Sequence, residues 1–78
     1  MLRSNSGDFD GAIADYTAAL RLNPNDIYGY HNRGCVWAAK GEFANALLDM
    51  DAALSIERSN ETVHSSRALV AAGAPCKR

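Results

Sequence analysis

His31 and Cys35 stand four residues apart, a spacing that sets an imidazole and a thiol side by side on one helical face, where both could ligate a metal. A structural zinc site needs about four ligands, and a catalytic one about three plus water. No further Cys, His or carboxylate stands where it would complete the set, so no metal is expected. Nucleophilic chemistry is no better served. There is no nucleophile elbow and no glycine-rich phosphate loop, and no enzymatic activity or cofactor is expected. The charged residues carry more information. Arg33 and Arg67 are separated by the same interval as Asp15 and Asp49. This predicts a ladder of ion pairs across adjacent helices, Arg33 with Asp15 or Asp49 and Arg67 with Asp49. Partly buried pairs of that kind fix register more than they add stability. Four independent surface charges are the alternative.

The same interval, 34 residues, runs through the apolar and small residues. Gly7, Phe9, Ala12, Asp15, Ala18, Ala19 and Leu20 recur as Gly41, Phe43, Ala46, Asp49, Ala52, Ala53 and Leu54. Asp8 with Glu42, Ile13 with Leu47, Leu22 with Ile56 and Asp26 with Asn60 keep the register conservatively. A period of about 34 with small residues at fixed places belongs to stacked helical hairpins, an all-α architecture. Such stacks offer surfaces to partners more readily than pockets to substrates.

Length and composition agree. The 78 residues allow one small domain, 47% of them are hydrophobic, and aromatics make up only 8%. Many of the apolar residues are Ala, which suits closely packed helices. The net charge of -1, with both signs interspersed, lacks the basic stripe that phosphate neutralisation requires, so no nucleic-acid partner is expected. No apolar run is long enough to cross a bilayer, and no membrane association is expected. Cys35 and Cys76 form no framework of disulfides. A reduced, cytoplasmic setting is the plain expectation.

Four helices must position these residues. The first is expected over Asp8 to Leu22, with Phe9, Ala12, Ile13, Tyr16, Ala19 and Leu20 on one stripe. Pro24 stops it. Asn25 or Asp26 can cap a second helix, Ile27 to Lys40, whose buried stripe holds Tyr30, Gly34 and Trp37. Gly34 costs roughly 1 kcal/mol against Ala inside a helix, which implies close approach of a neighbouring backbone. Gly41 suits a left-handed cap. The third helix, Glu42 to Glu57, repeats the first with Phe43, Ala46, Leu47, Met50, Ala53 and Leu54. Ser59 or Asn60 can cap a fourth, Glu61 to Ala72, with Val63, Arg67, Val70 and Ala71, before Gly73 and Pro75. Connections this short make neighbouring helices antiparallel.

The pattern resembles the tetratricopeptide repeat. The central unit matches it with Tyr30, Gly34, Trp37, Gly41, Phe43, Ala46 and Ala53, and departs from it at Arg33, Met50 and Arg58. The resemblance implies a right-handed α-solenoid fragment in one domain, 1–78. It comprises a half repeat over 1–26, a full repeat over 27–60, a half repeat or capping helix over 61–73, and a tail over 74–78. It also implies a non-enzymatic module that binds a protein or peptide in a groove lined by the first helix of each repeat. The groove positions are Tyr28, His31, Asn32, Cys35 and Ala39, followed by Thr62, Ser65, Ser66 and Leu69. Asn32 aligns with the asparagine by which some members hold a peptide backbone or C-terminal carboxylate. Members that clamp chaperone C-termini add lysines and arginines, whereas Thr62 and Ser66 are uncharged, so that clamp is not expected. An ordinary solvated face is the alternative to a groove. A homo-oligomer built through exposed repeat ends, or a longer repeat scaffold of which this is a part, is the alternative role.

Overall fold

The computed structural model describes residues 8–74. Gly7, Pro75, Cys76 and the tail residues 75–78 lie outside the described residues, as do residues 1–6. Four helices follow one another: α1 (Phe9–Leu22), α2 (Ile27–Lys40), α3 (Phe43–Ile56) and α4 (Glu61–Ala71). Each expected segment is present, with boundaries shifted by at most one residue.

The caps explain the boundaries. Asp26, rather than Asn25, caps α2 by accepting the Tyr28 N–H at 3.1 Å. Asn60, rather than Ser59, caps α4 by accepting the Val63 N–H at 3.0 Å. Both satisfy donors that a helix start leaves without intrahelical partners. At the end of α2, Gly41 takes φ +93°. That left-handed turn returns the Gly41 N–H to Ala38 O at 3.0 Å and the Glu42 N–H to Trp37 O at 2.8 Å. The chain thereby reverses within two residues.

The helices form two layers. Each packs against its successor, and α2 also touches α4, whereas α1 and α3 do not approach each other among the described residues. The first helices of successive hairpins therefore converge and the second helices diverge, which gives the stack an inner side lined by α2 and α4.

The core lies between α2, α3 and α4. Met50, Ala46 and Ala53 of α3 are fully buried, and Val63, Val70 and Ala38 nearly so. Tyr30, Trp37, Phe43, Leu47 and Leu54 pack around them half-buried. Gly34 shows why a helix interior keeps a glycine here. A Cβ at that position would stand 2.9 Å from Met50 Cε and 3.2 Å from the Ala46 carbonyl oxygen. Backbone-to-backbone proximity of α2 and α3 is thus set by the missing side chain.

The expected α1 stripe is covered much less than its counterpart in α3. Only Leu20 is buried; Phe9, Ala12, Ile13 and Tyr16 are half-exposed and Ala19 is exposed. The α4 stripe divides similarly. Val63 and Val70 are buried, while Arg67 is half-exposed and Ala71 exposed. The difference follows from position in the stack. Among the described residues, α3 has α2 and α4 packed against it, whereas α1 packs against α2 alone.

Candidate functional site

The inner side is organised from polar residues outward. On α2, Tyr28 and Asn32 share an exposed face one helical turn apart, with Ala39 exposed further along. On α4, Thr62 and Ser65 are exposed, and Leu69 retains 41% of its accessible surface. These six of the nine expected groove residues are available to a ligand.

The other three turn inward. His31 Nε2 and Ser66 Oγ are 2.7 Å apart. This contact ties α2 to α4, and Ser66 is buried as a result. Burial lowers the His31 pKa below its ordinary value, partly opposed by a hydrogen bond with the Asn32 side chain. A neutral imidazole is favoured, since a buried charge here lacks a carboxylate partner. Cys35 is half-buried against the core, its Sγ 3.7 Å from His31 Nε2. It is disulfide-bonded, which departs from the reduced thiol expected from the sequence. The His31–Cys35 pair is therefore structural framework beneath the exposed face. Among the described residues, no group of three or more His, Cys, Asp or Glu side chains is gathered for a metal.

The ion-pair ladder forms with one partner changed. Arg33 Nε donates to Asp49 Oδ2 at 2.8 Å and Nη2 to Asp49 Oδ1 at 2.7 Å, a two-pronged pair across α2 and α3. Its remaining Nη1 donates to Thr17 Oγ1 of α1 at 3.0 Å. Thr17 in turn donates to the Ile13 carbonyl at 2.7 Å. One guanidinium thus fastens three helices. Arg67 does not reach Asp49; its Nε donates to Asp51 Oδ1 at 2.7 Å. Both Asp49 oxygens are already held by Arg33, and Asp49 is only 5% exposed. The change has a geometric reason. Asp51 lies one period after Thr17, so Arg67–Asp51 repeats the Arg33–Thr17 contact, each spanning 16 residues. Asp15, the equivalent of Asp49 on α1, is exposed and does not pair with Arg33. Lys40 pairs with Asp10 at 2.7 Å and stands over the Trp37 ring, a further α1–α2 tie that the period did not announce.

A family model described as TPR repeat matches residues 5–41. The chain belongs to the tetratricopeptide-repeat family. A curated relative, the photosystem I assembly protein Ycf3 of Acaryochloris marina (strain MBIC 11017), is 34% identical over 53 residues. The aligned part covers 68% of this chain and 32% of that protein, so the chain spans about a third of the relative's length. No solved structure gives a significant match. Membership fits the two-layer stack, the Gly34 contact and the repeated arginine register. Among the described residues, no helix is long and apolar enough to cross a membrane.

Proposed function

We propose that this tetratricopeptide-repeat chain is a non-enzymatic protein-interaction module that holds an extended peptide against α2 and α4. The observation that supports the reading is the exposure of two large apolar side chains, Tyr28 at 66% and Leu69 at 41%, on α2 and α4, the helices that the His31–Ser66 contact ties together. The same two helices also expose the polar groups of Asn32, Thr62 and Ser65. The helices run in the same direction, so Leu69 is level with Cys35, seven residues along from Tyr28. At 1.5 Å per residue the two anchors are offset by about 10 Å along the helix axis, enough for roughly three extended peptide residues. The Asn32 amide can donate to a peptide carbonyl and accept from a peptide N–H. Apolar anchors flanking hydrogen-bonding groups are what sequence-selective peptide capture needs. The assembly role in the relative's name is consistent with a protein partner.

Selection of peptides from a random library against the folded chain tests this. Selected peptides should bind the native chain and lose at least about tenfold in affinity, 1.4 kcal/mol, on the variant carrying Tyr28→Ala and Asn32→Ala. Leu48→Ala, on the outer face of α3, should leave binding unchanged. Peptides that ignore the first variant and respond to the second would overturn the reading.

A further inference from the structure

The chain reverses after α4 as it does after α2, but earlier in the repeat. Among the described residues, Gly41 and Gly73 have left-handed backbone, at φ +93° and +85°. The Gly73 N–H returns to Val70 O and the Ala74 N–H to Leu69 O, both at 2.9 Å. Gly41 and Glu42 make the same pair of bonds at the end of α2. Gly73 follows Gly41 by 32 residues rather than by the period of 34. A helix turns about 100° per residue, so the chain leaves α4 roughly 200° away from the direction in which α2 hands it to α3. Gly73 thus holds the place that Ala39 holds on α2, on the face shared with Asn32 and Cys35. Ala74 is half-buried and bonded to the carbonyl of Leu69, one period after Cys35.

Cys35 is disulfide-bonded. The sequence has two cysteines, and the other is Cys76, two residues beyond Ala74 and outside the described residues. Two residues span at most about 7 Å, and the Cα atoms of a disulfide stand about 5.5–6 Å apart. Together these exceed the roughly 8–10 Å between the axes of packed helices, so the chain beyond Ala74 is long enough to bring Cys76 to Cys35.

We propose that residues 75–78 are held across the α2–α4 face by a Cys35–Cys76 disulfide and keep a peptide out until a thiol reductant opens the bond. The consequence for binding rests on the peptide-capture reading, whereas the bond itself does not. The direction of the Gly73 turn, the bonded state of Cys35 and the distance available all select this occupant. Opening is a two-electron step. A dithiol gives two electrons and two protons, the Cys35–Cys76 S–S bond breaks, both sulfurs become thiols, and the dithiol closes to its own disulfide. While the bond stands, the segment competes with peptide at an effective concentration on the order of millimolar. Opening it frees the face beside Asn32, Ser65 and Leu69.

To test this, the full chain is oxidised with glutathione disulfide, digested without reductant, and its fragments weighed by mass spectrometry. Fragments joined through Cys35 and Cys76 are expected from protein of single-chain mass. A library-selected peptide should bind the chain reduced with dithiothreitol at least about tenfold more tightly than the oxidised chain. Cys76→Ser should keep the native circular dichroism spectrum and bind like the reduced chain, with or without dithiothreitol. Two free thiols or a disulfide-linked dimer after oxidation, equal peptide affinity in both redox states, or a Cys76→Ser variant that still responds to dithiothreitol would each overturn the proposal. Should no peptide bind either form, the peptide-capture reading fails and the amide spectrum decides the tether alone. Reduction should then shift Asn32, Ser65 and Leu69, and unchanged amides there would overturn it.

Discussion

Replacing Asp49 by Ala should destabilise the chain far more than replacing Asp51 by Ala, although both carboxylates pair with an arginine 16 residues away. The difference comes from burial. Arg33 and Asp49 side chains are 20% and 7% exposed, against 42% and 55% for Arg67 and Asp51. Removing one partner of a buried pair costs about 3–5 kcal/mol, because the remaining charge is left unmatched. Arg33 keeps some solvent and its Thr17 contact, so the lower end, about 3 kcal/mol, applies. Alanine returns up to about 0.7 kcal/mol in helix propensity. The net loss for Asp49→Ala is then roughly 2 kcal/mol. A chain of this length is stable by about 4–12 kcal/mol, so the loss is a substantial fraction. An exposed pair contributes about 0.2–1 kcal/mol, which the same propensity gain nearly cancels in Asp51→Ala. Urea unfolding followed by circular dichroism measures both, and added salt should further shrink only the Asp51 effect. Equal costs for the two variants, or a cost below about 0.5 kcal/mol for Asp49→Ala, would refute the claim that burial sets the strength of each rung.

Two further outcomes follow from the packing and from His31. Met50→Ala removes a fully buried side chain between α2 and α3 and should cost about 2–5 kcal/mol in the same urea titration, depending on how far Gly34 and its neighbours close the gap. His31 has a lowered pKa in the folded state because of burial, so the unfolded chain takes up its proton first as pH falls. Stability should therefore decline as pH drops below about 6.5 and level off below the folded pKa, and the His31→Gln variant should lose that part of the decline.

Much of the fold is legible in the sequence because local and periodic signals agree. The spacing of apolar residues gives the four helices, Asp26 and Asn60 mark helix starts, and Gly41 marks a reversal. The Arg33–Asp49 pair is legible for the same reason, since both positions recur one period apart. Arg67–Asp51 was hidden because matching by residue identity pairs Asp49 with Asp15 and passes over Thr17 with Asp51, which share a place but not a type. The inward turn of His31 and Ser66 was hidden for another reason. Residue spacing defines a face within one helix, whereas the proximity of α2 to α4 is a tertiary outcome that brings His31 and Ser66 together.

Amide chemical-shift mapping distinguishes a binding surface on α2 and α4 from one elsewhere on the chain. The isotopically labelled chain is titrated with a library-selected peptide. The largest shifts should cluster at Tyr28, Asn32 and Ala39 of α2 and at Thr62, Ser65 and Leu69 of α4. Shifts confined to the outer faces of α1 and α3, around Asp15 and Leu48, would contradict it.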